Sequence, residues 1–97
     1  MDKAEVASFI LASCPGLDKY QAYMFGSSLR GIGEDIDILI VGPAGEALAS
    51  LKKEVLQAGH ELPLHVLYML PSEANETKFV TSERCVALLE LASGSEI

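Results

Sequence analysis

Cysteine is scarce: Cys14 and Cys85 are the only two in 97 residues. They are too few and too far apart for a disulfide framework or a zinc cluster, so free thiols in a reducing cytosol are the expected state. Basic residues are also scarce, with seven Lys and Arg against fourteen Asp and Glu and a net charge of −7. Affinity for nucleic acid comes largely from basic groups that release counterions, so this balance argues against nucleic acid as the main partner. No apolar run approaches the roughly 20 residues a membrane helix needs, and the N-terminus reads as no signal peptide, so a cytoplasmic protein without a membrane anchor is expected. No repeat, linker or low-complexity stretch divides the chain. A single domain over residues 1–97 with a modest core is the expected organisation.

Helical and strand periodicities alternate along the chain. Val6, Ala7, Ile10, Leu11 and Cys14 recur at helical spacing over residues 2–13, and Cys14-Pro15-Gly16 stops that helix. Residues 20–25 read as a first strand and residues 35–42 as a second. The connection between them is too short for a parallel crossover, so the pair is expected to be antiparallel. Gly42-Pro43 opens a helix to Ala58, with Ala47, Leu48, Leu51 and Val55 as its buried stripe and Lys52, Lys53 and Glu54 toward solvent. That connection is long enough for a right-handed crossover, which predicts a third strand over 62–70, parallel to the second. Pro71-Ser72 starts a short helix through Phe79 with Ser72 as its cap, and a last helix is expected over 82–92. The alternation of Cys85, Ala87 and Leu89 would also suit a strand. The predicted fold is α/β (α+β): a three-stranded mixed sheet backed by helices.

The chemistry concentrates in Met24-Phe25-Gly26-Ser27-Ser28-Leu29-Arg30-Gly31 and the following Asp35-Ile36-Asp37-Ile38-Leu39-Ile40-Val41. Side chains alternate along a strand, so Asp35 and Asp37 share a face with Cα atoms about 6.6 Å apart. At an effective dielectric near 20 their repulsion is about 2.5 kcal/mol, and a bound divalent metal would reverse its sign. Gly26 lets another group approach the backbone at the end of the first strand. Ser27, Ser28 and the backbone N–H groups of a helical turn suit phosphate oxygens, and Arg30 adds a planar cationic donor.

In this order these segments resemble the minimal nucleotidyltransferases of the DNA polymerase β superfamily, whose signature is a strand ending in Gly-Ser, a short helical turn, and a strand carrying Asp-x-Asp before an apolar run. The resemblance is specific over residues 20–42 and extends by element order to about residue 70. It implies that Gly26 and Ser27 hold the phosphates of a nucleoside triphosphate and that Asp35 and Asp37 bind the divalent metals, Mg2+ or Mn2+, that bridge them. Ser28 and Arg30 complete the expected nucleotide site, and Lys78 and Arg84 could reach a nucleotide from the C-terminal region.

Two departures accompany the resemblance. Seven residues separate Ser27 from Asp35, a shorter connection than in many family members. The family also carries a third carboxylate on the next core strand, whereas Leu62-Pro63-Leu64-His65-Val66-Leu67-Tyr68-Met69-Leu70 holds none. His65 takes the expected position, and Glu61 lies too early. A neutral imidazole brings no negative charge to a metal, although its free nitrogen would suit a general base, so His65 joins Asp35 and Asp37 as a candidate catalytic residue.

Two functions follow as expectations. The first is transfer of a nucleoside monophosphate from a nucleoside triphosphate to an unknown acceptor. The second is a catalytically degenerate module that binds a nucleotide or a partner. Members of this family are often encoded beside a helical protein that they restrain, as the antitoxin half of a toxin–antitoxin pair. A composition that is 49% hydrophobic leaves apolar surface for such a partner or for a homodimer.

Overall fold

The computed structural model describes residues 1–32 and 35–94. Asp2 opens helix α1 (Lys3–Ser13) with a reciprocal cap: its carboxylate accepts from the Glu5 N–H at 2.9 Å, and the Glu5 carboxylate accepts from the Asp2 N–H at 3.0 Å. Val6, Ala7 and Ile10 line its buried stripe, as the spacing predicts. A 3-10 turn over Pro15–Lys19 then leads into strand β1 (Gln21–Phe25).

Strand β2 (Ile36–Val41) runs antiparallel to β1, with Gln21 opposite Val41 and Phe25 opposite Asp37. Helix α2 (Glu46–Ala58) makes the crossover to strand β3 (Leu64–Met69), which lies parallel to β2. Both orientations agree with the connection lengths. Helix α2 begins three residues later than Pro43, because Gly45 takes φ +114°, outside the helical range. Leu51, Val55 and Ala58 are its buried residues, whereas Ala47, in the first turn, is exposed. Glu54 is half-buried rather than turned to water: its carboxylate accepts from the Gly16 N–H at 2.9 Å and ties α2 to the turn after α1.

The C-terminal part departs from the sequence reading in detail. Helix α3 (Pro71–Thr77) is capped by Glu73, whose carboxylate accepts from the Leu70 N–H at 2.8 Å, so Ser72 is not the cap. Lys78 takes φ +54° and ends the helix before Phe79, which opens a separate single turn, α4 (Phe79–Ser82). The expected helix over 82–92 starts only at Leu88, as α5 (Leu88–Ser93). Ahead of it, Val86–Ala87 forms strand β4, antiparallel to β1. Of the alternating Cys85, Ala87 and Leu89, only Ala87 lies in this strand, Leu89 belonging to the helix beyond it, and the sheet has four strands in the order β3-β2-β1-β4 rather than three.

The sheet has two working faces. On one, Met24, Ile36, Ile38 and Ile40 join Val6, Ile10, Leu51, Val55, Leu88 and Leu91 in the main core. By strand alternation Asp37, Leu39 and Val41 lie on the other. There Leu39 is fully buried, and Phe79 packs edge-on against Phe25 with ring centroids 5.1 Å apart and planes at 89°. No described helix is long and apolar enough to cross a membrane.

Both cysteines are free thiols. Burial, helped by the Glu54 carboxylate, pushes the Cys14 thiol up to about 11, and burial with Glu83 pushes Cys85 up to about 11 against a backbone hydrogen bond that lowers it. An unfolded thiol with the ordinary value of 9.0 loses its proton first. Between about pH 9 and 11 the folded state therefore binds more protons than the unfolded one. The stability the thiols contribute is complete below this window and lost as pH rises through it. Melting temperature is expected to fall across that range, and to fall less in a Cys14→Val/Cys85→Val variant measured by the same thermal scan.

Candidate functional site

The chain leaves β1 at Phe25 and turns sharply at Gly26, where φ is +72°. Left-handed backbone of this kind favours glycine. A Cβ at this position would also lie 2.8 Å from Asp37 Oδ2. Glycine therefore serves two purposes here, turning the chain and letting it pass against a carboxylate. Residues Gly26–Leu29 form one 3-10 turn, with Ser27 exposed and Ser28 fully buried.

Ser28 is the only fully buried polar residue among those described. Its Oγ accepts from the Asp37 N–H at 3.0 Å and donates to the Asp35 carbonyl at 3.2 Å. The hydroxyl is therefore not placed as the phosphate donor expected of this residue, since its only proton is directed to Asp35. Arg30 follows the turn, its N–H donating to the Ser27 carbonyl at 2.9 Å, and its side chain is exposed.

Asp37 lies between the fully buried Ile36 and Ile38, with its own side chain 25% exposed. Asp35 is exposed and precedes β2 rather than belonging to it. In the parallel ladder Asp37 is paired with His65, and His65 Nδ1 lies 3.3 Å from Asp37 Oδ1. The imidazole is 81% exposed, so it meets solvent while touching the carboxylate. Glu61 sits in the turn after α2, ahead of β3, and does not supply a third carboxylate to the strand.

A cleft of about 220 Å3 opens here, lined by Phe25, Asp37, His65, Val66 and Leu67. A wider one, about 380 Å3, lies across Leu11, Cys14, Leu17, Tyr20, Ala22 and Leu88, and Asp18 is its one carboxylate among the described residues. Size favours the wider cleft. Chemistry favours the smaller, where a carboxylate, an imidazole and a glycine turn converge.

Lys78 belongs to neither. It lines a separate cleft with Gln21, Val41, Asn75 and Thr81, at the Gln21–Val41 end of the β1–β2 pair, about 13 Å of strand from Phe25 and Asp37. Arg84 takes φ +52° as the chain turns from α4 into β4. The contribution sequence reasoning missed is the inward-facing hydroxyl of Ser28. Its signal was a second serine placed four residues after the buried Met24, where a helical turn points back toward the sheet.

Among the described residues no group of three His, Cys, Asp or Glu side chains is arranged to hold a metal ion by itself. Magnesium commonly takes one or two carboxylates and completes its shell with water and substrate phosphates. The oxygen donors of Asp35 and Asp37 fit that demand, and a metal arriving with a nucleotide needs no third protein ligand.

A strand that ends in a glycine turn, paired with an acidic strand that continues by a helical crossover into a parallel third, is the frame of a nucleotidyl-transferring domain. A family model described as Nucleotidyltransferase domain matches residues 9–88. The chain belongs to that family. No curated protein matches it significantly.

Proposed function

We propose that this chain, acting as a single domain, binds a nucleoside triphosphate with Mg2+ or Mn2+ and transfers its nucleoside monophosphate to an acceptor. The observation that carries this reading is the β1–β2 register: pairing Phe25 with Asp37 brings the Gly26–Ser27 turn against the Asp37 carboxylate. Asp35 and Asp37 would hold the metal, which supplies charge neutralisation of the triphosphate and polarises the reacting phosphorus. The exposed Ser27 hydroxyl and the backbone of the turn receive phosphate oxygens, and Arg30 offsets the charge that develops on departing pyrophosphate. An acceptor hydroxyl attacks the α-phosphorus, its oxygen forms the new bond, the bond to pyrophosphate breaks, and the hydroxyl proton leaves to a base.

His65 supports a second reading. It occupies the position paired with Asp37, where a carboxylate would add charge to the site, and an imidazole does not. A site so built holds a nucleotide while transferring slowly or to a narrow set of acceptors. Association in the cytoplasm with a helical protein partner, as in a toxin–antitoxin pair, or with a second copy, belongs to this reading, and Leu56 and Leu89, 66% and 73% exposed, are among the apolar side chains the surface offers. The acidic surface favours a small molecule or protein side chain as acceptor over nucleic acid.

Titration calorimetry and thermal melting with Mg2+ or Mn2+ and each common triphosphate test this function. Binding is expected, with stabilisation of about 2.7 kcal/mol at one hundred times the dissociation constant. Asp37→Asn should abolish most of it. No heat and no melting shift with either metal would rule the site out.

A further inference from the structure

We infer that Ser28 is a positioning residue: its buried hydroxyl ties the phosphate turn to the backbone of both Asp35 and Asp37 and so sets where the two carboxylates stand. The inference rests on the proposed metal and nucleotide site.

The geometry is specific to this role. A hydroxyl offers one proton and two lone pairs. At Ser28 the proton goes to the Asp35 carbonyl at 3.2 Å, and a lone pair receives the Asp37 N–H at 3.0 Å. The bonded groups belong to residues two apart, just before and just inside β2, so one atom spans Ile36 and fixes the local twist between the two acidic residues. The hydroxyl comes from the same short turn whose Gly26 lies against Asp37 Oδ2. Asp37 is then held at two points, its N–H by Ser28 and Oδ1 by His65 Nδ1, while Oδ2 lies beside the side-chain-free Gly26. Asp35 has one restraint of this kind among the described residues, the bond from Ser28 to its carbonyl. Losing the hydroxyl should therefore loosen the exposed carboxylate more than the buried strand.

A purely structural serine would lose stability when changed and leave metal affinity intact in whatever remains folded. A positioning serine would lose metal affinity as well as stability. Groups that orient metal-binding side chains without touching the metal typically change affinity by about 10–100-fold when removed.

The experiment uses the whole chain with manganese as the probe, following affinity by titration and, in the metal-free protein, the amide resonances of residues 35 and 37 by NMR. Ser28→Ala and Ser28→Cys should each weaken manganese binding about tenfold or more and speed hydrogen exchange at the Asp37 amide. The cysteine variant nearly preserves side-chain volume and donates only weakly, so it keeps the test open should the alanine variant fail to fold. Ser28→Thr retains the hydroxyl and should recover most of the affinity. Unchanged manganese affinity in a folded Ser28→Ala or Ser28→Cys variant, beside clear binding by the parent, would overturn the inference alone. No manganese binding by the parent would instead overturn the site on which it rests.

Discussion

Gly26→Val should lower stability by about 2–4 kcal/mol and eliminate triphosphate binding in the fraction that folds. Two independent causes act at one position. The backbone stands at φ +72°, which a β-branched residue adopts only with strain. The first carbon of any side chain would also lie 2.8 Å from Asp37 Oδ2, and that carboxylate cannot yield without leaving the position in which it is proposed to serve the metal. For a domain of this size the destabilisation corresponds to a melting point lower by roughly 10–25 °C. Gly26→Ala has the same two causes without the β-branch and should fall between parent and valine. Gly31 is the matched control: it lies in the same connection, is exposed, and a Cβ there meets nothing within 4 Å. Gly31→Ala should stay within about 0.5 kcal/mol of the parent and keep its nucleotide response. Thermal melting of the three variants with and without Mg2+ and ATP checks the set. A valine variant that melts like the parent and still shifts with nucleotide would remove Gly26 from both roles.

The same position shows how far the sequence can be read. That Gly26 closes a strand against an acidic strand followed from residue order and connection length, and so did the antiparallel and parallel pairings of the three long strands. Those features depend on local periodicity and on how far a chain can reach. The parts that were not legible depend on contacts between distant segments. Glu54 reads as solvent-facing by its place on α2, yet it caps the Gly16 N–H across 38 residues. Ser28 reads as a phosphate ligand by its neighbours, yet its hydroxyl turns inward to Asp35 and Asp37. Ser72 reads as a cap by residue type, but Glu73 reaches the Leu70 N–H instead. Strand β4 contains two residues, too few for periodicity to separate it from the helix that follows, and it forms because β1 offers it an edge. Asp35 and Asp37 differ in environment for a similar reason. Only Asp37 lies inside the paired region, where Phe25 and His65 flank it on neighbouring strands.

His65→Asp should enlarge the response of the site to metal, making the metal-free protein less stable and the metal-bound protein more stable than the parent. His65 Nδ1 lies 3.3 Å from Asp37 Oδ1, so the substitution removes that contact and sets a carboxylate beside another. Two like charges about 4 Å apart repel by about 1 kcal/mol in water and about 4 kcal/mol at an effective dielectric near 20. The imidazole is 81% exposed, so solvent screening places the effect toward the lower figure, a drop of several degrees in the metal-free melting point. Mg2+ or Mn2+ turns that repulsion into attraction, and the melting curves of parent and variant should cross as metal is added. In the proposed site the added carboxylate also strengthens the charge available to activate an acceptor, so any measurable transfer should speed up. Transfer of label from a triphosphate, compared among the parent, His65→Asp and His65→Ala, separates this from the opposing assignment in which the imidazole is the general base, a role worth about 10²–10⁴ in rate. Activity gained in the aspartate variant, with the alanine variant no faster than the parent, supports a site weakened by the missing carboxylate. An active parent silenced by both substitutions would make His65 the base that takes the acceptor proton.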